Sequence, residues 1–338
     1  MDNLTIRDDD RTIWEGELAD FVPRTIFDGH AHLYDAALIP EADVKEHALF
    51  ARFPRVRLAD LEQYTALLFP GRQVRYLTTF FPTTHSNFEA EEEFMSAEVK
   101  GKGNACALML ACPDWNAAEI ERRVDRGGFI GFKPYMCLSR SANPAESTVP
   151  EMLPEPYWKI AHERGLLILL HLGRHRAMAD PINQRDVRRL AERYPHARLQ
   201  LAHCARCFTP EIAEAGLPTV ADLPNVHVDT SAVTETEVFH ILLDVWPMER
   251  IVFGTDNAPA GLARGRIATF GLGWYHVDED NCQAFGAPHT PARPTFLAYE
   301  NLRCLRYAAR RKGWGKSERE DFFLNNAMRI YGELVEER

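Results

Sequence analysis

Read from one end to the other, the chain alternates short apolar runs with longer amphipathic stretches, and the runs number eight. They fall at residues 25–32, 74–81, 105–111, 129–135, 166–171, 198–203, 226–231 and 250–256. None shows the in/out alternation of a strand wetted on one face, so each reads as a strand buried on both sides. The stretches between them carry helical periodicity. Residues 114–126 form an amphipathic segment opening at Asp114, and 156–164 stop at Gly165. Residues 183–194 set Val187, Leu190 and Ala191 against a charged face, and 234–246 end before Pro247. Eight strand–helix units in roughly 250–300 residues predict an α/β fold of the (β/α)8 TIM-barrel type. The competing doubly wound sheet would need a Gly-rich phosphate loop after the first strand, and none is present.

Two stretches break this rhythm. Residues 35–73 are long and charged, with an apolar helical piece at 58–68; residues 258–294 are rich in Gly, Arg and aromatics and lack a clear period. Each follows a strand that ends in candidate ligands, so both are expected as long loops over the C-terminal mouth, either lids or surface decoration. Residues 1–24 read as a short N-terminal extension. The alternation around Thr12-Ile13-Trp14 predicts a small strand or hairpin there, outside the main fold. Residues 25–338 would form the barrel domain, with helices over 295–312 and 317–331 closing its outside.

Composition narrows the function classes. At 338 residues and 46% hydrophobic content the chain has ample material for a large core. A formal net charge of −10 argues against nucleic acid as a partner, because phosphate binding needs a concentrated basic surface. No apolar run is long enough to span a membrane, and residues 1–10 are too acidic for a signal peptide. The seven cysteines are odd in number and scattered, which fits a reducing cytoplasm better than a disulfide framework. Cys204 and Cys207 make the sole C-x-x-C; lacking a second pair, they read as structural thiols.

The polar residues that end the apolar runs carry the chemistry. In 26–33, Asp28, His30 and His32 alternate along a strand and would share a face, with the imidazoles' Cα atoms roughly 6–7 Å apart. Such a pair can converge on one divalent ion, or can be a buried pair held by backbone hydrogen bonds. Lys133 lies near the end of the fourth run, His171 ends the fifth, His203 the sixth and Asp256 the eighth. A barrel gathers its catalytic groups at this C-terminal rim.

This ordered set (Asp-x-His-x-His, strand-four Lys, strand-five His, strand-six His, and Asp in Gly-Thr-Asp) resembles the amidohydrolase superfamily of metal-dependent barrels. Within it the chain looks most like the "amidohydrolase 2" branch, which holds aminocarboxymuconate-semialdehyde decarboxylase with related lactonases, hydratases and decarboxylases. The resemblance implies that His30, His32, His171 and Asp256 hold one divalent ion, zinc, with His203 as the neighbouring acid/base or electrophile. Imidazoles and a carboxylate suit zinc, and an open coordination position would hold a water with pKa near about 7. Asp256 would also take that water's proton, and His203 would steady charge growing on the substrate oxygen. The alternative is binuclear, with carboxylated Lys133 bridging two ions and His171 and His203 serving the second. A homodimer is likewise implied by resemblance.

Arg174 and Arg206 follow two of these histidines by three residues, where a guanidinium fork would hold a substrate carboxylate; Arg264 and Arg266 could add to it, or all could be loop arginines paired to surface acids. Lys133 and Tyr135 would line the pocket, His85 would face the mouth, and Asp229 would orient a histidine or cap its strand. The function expected is hydrolysis of an ester, lactone or amide in a small carboxylated molecule by metal-activated water. Its rival is non-oxidative decarboxylation or hydration of an unsaturated or aromatic acid.

Overall fold

In the computed structural model, which describes residues 4–258, 260–270, 273–285, 289 and 292–336, all eight apolar runs contain strands of one sheet. These strands are β1 (Thr25–Asp35), β3 (Gln73–Phe80), β4 (Ala105–Leu110), β5 (Gly131–Lys133), β6 (Leu167–Leu170), β7 (Arg198–Leu201), β8 (Val226–Asp229) and β9 (Ile251–Val252). Each pairs with its sequence neighbour in parallel, and the short β2 (Arg55–Val56) adds to β1 as an antiparallel edge. Parallel neighbours need a crossover between them, and helices supply it. Among these crossovers are Phe88–Val99, Ala117–Gly127, Glu155–Arg164, Pro181–Arg193 and Thr236–Val245. β4 and β6 are buried along their whole length, as strands covered on both faces must be.

The sheet is curled, and backbone bonds draw its ends together. Gly29 N donates to Phe253 O at 2.8 Å, Asp256 N to His30 O at 2.8 Å, and His32 N to Asn257 O; a single parallel bridge joins Ala31 to Asn257. Two glycines let the backbones approach this closely. A Cβ on Gly29 would stand 3.0 Å from Phe253 O, and one on Gly254 would stand 3.1 Å from the His30 Cβ. The architecture is therefore mixed α/β, with strand C-terminal ends gathered on one rim.

Local signals explain several boundaries. Asn116 caps its helix by accepting from Glu119 N at 3.0 Å, placing the start two residues later than Asp114 suggested. Gly165 takes the left-handed conformation, φ 64°, that stops the preceding helix.

The N-terminal expectation is corrected. Residues Asp8–Ile13 are helical and continue as a wide turn over Trp14–Leu18, with no strand or hairpin. Ile13, Trp14 and Leu18 enter the same core as the strands, so the apolar pattern serves a helix packed on the fold. Both long segments have structure too. The first folds into short helices, β2 and the helix Leu58–Leu68; the second contains an antiparallel hairpin of β10 (Gly265–Phe270) and β11 (Gly273–Asp278). Among the described residues no helix is long and apolar enough to cross a membrane.

Candidate metal centre

Parallel strands deliver their C-terminal residues to one end, and there the sheet brings the chemical groups together. His30 and His32 come from β1, Lys133 from the end of β5, and Asp229 from the end of β8; His171, His203 and Asp256 lie just past β6, β7 and β9. One donor atom each from His30, His203 and Asp256 lies within 4.8 Å of the others. Asp256 Oδ1 is 3.0 Å from His32 Nε2 and 3.6 Å from His30 Nε2. His171 joins through its ring, 5.2 Å from that of His203. Lys133 Nζ stands 3.0 Å from His30 Nε2.

Asp28 does not join them. The β1–β3 register shifts between Asp28 and Ala31, so the alternation slips at Gly29–His30. Asp28 instead accepts from Thr255 N at 2.9 Å and from the Thr255 hydroxyl, tying β1 to the segment that presents Asp256. Burial raises its pKa to about 7 against those hydrogen bonds.

The turn after β7 is backbone-strained. His203, Cys204, Ala205 and Arg206 all hold positive φ, between 49° and 59°, a left-handed run of four non-glycine residues. Each such residue costs about 1–2 kcal/mol, so the surrounding structure must hold the turn in place. Asp229 Oδ1 accepts from His203 N at 3.0 Å, and Arg206 Nη1 donates to Leu172 O at 2.7 Å. Cys204 and Cys207 are buried free thiols, with no metal-ligating partner among the described residues.

Electrostatics favours neutral imidazoles around a carboxylate. Burial, helped by Lys133, lowers the His30 pKa to about 4; burial also lowers His203, and lowers His171 well below its ordinary value, with Arg206 contributing. Burial opposes ionisation of Asp256, but the hydrogen bond from His32 and the attraction of His203 and His30 when those rings are protonated outweigh it and hold the carboxyl below its usual range. Lys133 is driven down to about 8 by burial, against the pull of Asp256 and Asp229. The donor set suits a divalent ion of zinc's kind: unprotonated nitrogens, one carboxylate, and buried Nδ1 atoms on His32 and His171 that have no hydrogen-bond partner among the described residues. The Asp256 side chain is 19% exposed beside histidines that are 1% and 6% exposed, so solvent reaches the cluster on its side.

The arginines separate. Arg206 lies at the rim with its cation unpaired to any carboxylate among the described residues, and burial lowers its pKa. Arg174 turns away to Asp180 at 3.0 Å and Glu146 at 3.3 Å. Arg264 is structural: its two Nη atoms grip Asp10 at 2.9 and 2.6 Å, because a buried guanidinium needs a matched anion. Arg266 lies on β10, donating to Thr234 O. His85 pairs with Asp43 at 2.8 Å rather than with the cluster. The Tyr135 ring lies 4.7 Å from that of His171, tilted against it by 45°. Aromatic neighbours complete the wall: Phe81 lies 5.6 Å from His32, Phe208 6.0 Å from His203, and Trp274 of the hairpin 4.8 Å from Phe208.

Ser231 and Gln200 were not singled out from the sequence. Ser231 Oγ lies 2.8 Å from His203 Nδ1 and 3.2 Å from His30 Nδ1. Its spacing of two from Asp229 would have put both on one strand face; nothing in the sequence marks Gln200.

A family profile described as amidohydrolase matches residues 27–332. Solved structures agree in fold. A zinc-bound amidohydrolase from Burkholderia multivorans covers 91% of this chain and 99% of its own, at 13% identity and TM-score 0.58. A Pseudomonas putida protein assigned as a 2-pyrone-4,6-dicarboxylic acid hydrolase covers 92% and 98%, at 17% identity and TM-score 0.56. The 2,6-dihydroxybenzoate decarboxylase from Rhizobium covers 92% and 99%, at 13% identity and TM-score 0.53. No curated protein matches the chain in sequence.

Proposed function

The chain belongs to the amidohydrolase 2 family, and from that premise we propose that it is a metal-dependent hydrolase of a small carboxylated molecule, cleaving an ester, lactone or amide bond at the strand ends of a sheet of the (β/α)8 barrel type. The observation that carries this reading is the meeting of His30, His203 and Asp256 at the strand ends, with His32 and His171 adjoining. We assign His30, His32, His171 and Asp256 as the ligands of one divalent ion. A bound ion would supply Lewis acidity, polarising a substrate oxygen and lowering the pKa of coordinated water toward about 7.

The chain's own groups do the rest. Asp256, held ionised and open to solvent on one side, takes the proton of the attacking water. His203 is the neighbouring acid/base. Arg206 holds a substrate carboxylate, while Lys133 and Tyr135 line the pocket.

A second reading, non-oxidative decarboxylation or hydration of an unsaturated or aromatic acid, has its own support in the rings of Phe81, Tyr135 and Phe208 around the histidines. The names of the two similar enzymes above both denote small ring acids bearing carboxylates.

The test has two parts. Elemental analysis of protein purified without added metal should give about one equivalent, lost in His30→Gln and His171→Gln; a stoichiometry near two with a lysine carbamate at Lys133 would replace the mononuclear site by the binuclear one. A panel of carboxylated lactones, esters and amides, and of unsaturated and aromatic acids, is then followed for acid release and for CO2. Acid release supports hydrolysis, CO2 release supports the rival, and full metal retention in both variants would overturn the ligand assignment.

A further inference from the structure

Beneath the histidines runs a hydrogen-bond chain that the chemistry above does not use. It passes through Tyr331, Gln200, Asp229 and Ser231, none of which has any solvent exposure. Its polarity follows from which groups can only donate or only accept. The Tyr331 hydroxyl meets Gln200 Oε1. Gln200 Nε2 donates to Gly29 O at 3.1 Å and to Asp229 Oδ2 at 2.9 Å; the carbonyl can only accept, which fixes the amide's orientation. Asp229 Oδ1 accepts from His203 N at 3.0 Å, Ser231 N at 3.1 Å and the Ser231 hydroxyl at 2.5 Å. Surrounded by donors, Asp229 is a carboxylate with no proton to offer.

That arrangement determines two rings. His30 Nδ1 lies 3.2 Å from Asp229 Oδ2, an acceptor, so Nδ1 carries the hydrogen. From the opposite side the Lys133 ammonium, a donor, lies 3.0 Å from His30 Nε2 and requires the same tautomer. His203 Nδ1 lies 3.2 Å from the Ser231 carbonyl, again only an acceptor, and 2.8 Å from a Ser231 oxygen whose own hydrogen is committed to Asp229. Among the described residues, His32 and His171 have no hydrogen-bond partner at Nδ1. We propose that Asp229 and Ser231, held from below by Gln200 and Tyr331, are positioning residues that lock His30 and His203 together in the Nδ1–H tautomer, so that His30 keeps an unprotonated Nε2 for a metal ion and His203 an unprotonated Nε2 beside it. The lock rests on the metal-dependent reading of the site for its purpose, but it is a property of the metal-free chain.

The metal-free chain, labelled with 15N-histidine, tests it directly. Two-bond 1H–15N spectra near pH 7.5, assigned with His30→Gln and His203→Gln, should show both rings as Nδ1–H. Either ring found as Nε2–H, or averaging between tautomers, overturns the lock. Asp229→Asn supplies a second readout. Its oxygen stays with the Ser231 and His203 donors, so its NH2 faces Gln200 Nε2 and His30 Nδ1, and the His30 ring loses the acceptor that held its hydrogen on Nδ1. Zinc affinity, measured against a chromophoric chelator, should then fall about 10–100-fold. In Ser231→Ala the carbonyl remains, so His203 should stay Nδ1–H. Asp229→Asn with the wild-type tautomer and wild-type zinc affinity would overturn the proposal, and the wild-type spectrum decides it even if that variant does not fold. Nδ1–H rings in a chain that binds no zinc would sink the metal reading and leave the lock standing.

Discussion

A guanidinium surrounded by carbonyl oxygens, as at Arg206, carries a positive charge that a substrate carboxylate would neutralise. Arg206→Ala should raise KM for a carboxylated substrate about 30–100-fold, the loss of about 2–3 kcal/mol of charged hydrogen bonding, with little change in kcat. Arg174→Ala should shift KM far less, because that side chain already pairs with Asp180 and Glu146. Steady-state kinetics on matched acidic and neutral substrates checks both, and equal effects on the two substrates would refute the role. Glu91 offers a different test. Its Oε1 accepts from Asn87 N at 2.8 Å, and burial raises its pKa to about 8 against the hydrogen bonds from Asn87 and Ser86. Between an ordinary glutamate value of 4.5 and about 8, the folded chain keeps a proton that the unfolded chain has released. Its stabilising contribution is therefore whole below that window and lost as pH rises through it. Glu91→Gln should flatten the fall in urea midpoint between pH 5 and pH 9, and parallel curves for the two proteins would contradict the assignment. The two arginines had the same sequence signal, three residues past a histidine. What separated them was whether an acid lay within reach in space.

At the scale of elements, the apolar runs were legible because strands covered on both faces have no polar side to show, and every one became a strand. The N-terminal stretch was misread because Thr12-Ile13-Trp14 alternates over too few residues to distinguish a strand from a helix packed along one side. Asp10 and Arg264 then determine where that helix sits. Their bidentate pair is buried, Thr5 O also accepts from Arg264 at 2.7 Å, and the guanidinium lies 4.2 Å over Phe296. Asp10→Ala leaves a buried cation unpaired and should cost about 3–5 kcal/mol, seen as a lowered denaturant midpoint at unchanged slope. A loss within about 0.5 kcal/mol would mean that the helix is held by Ile13, Trp14 and Leu18 alone. The left-handed turn at 203–206 had no advance signal, since none of its four residues is glycine. Its conformation is imposed by Asp229 and by the Leu172 carbonyl, both distant in sequence.

Across the whole molecule, the proposed ligands come from β1 and from the segments after β6 and β9, so an ion held by them ties parts of the chain separated by more than 200 residues. A ligand bound only by the folded state stabilises it by about 4 kcal/mol at a thousandfold excess over Kd. Removing metal with a chelator should therefore lower Tm by several degrees, and zinc should restore it; an unchanged Tm would place the ion, if any, outside the fold's load path. The class of fold, the order of the strands and the roster of histidines could be read in one dimension. Burial and period are written locally, and parallel strands separated by crossovers must send their C-terminal residues to one rim. Which acid faces which imidazole, which arginine stays unpaired, and which nitrogen of each ring carries its hydrogen depended on contacts between residues such as His30 and Asp229, or Asp28 and Thr255. Those contacts exist only once the sheet has curled far enough for β1 to meet the chain beyond β9.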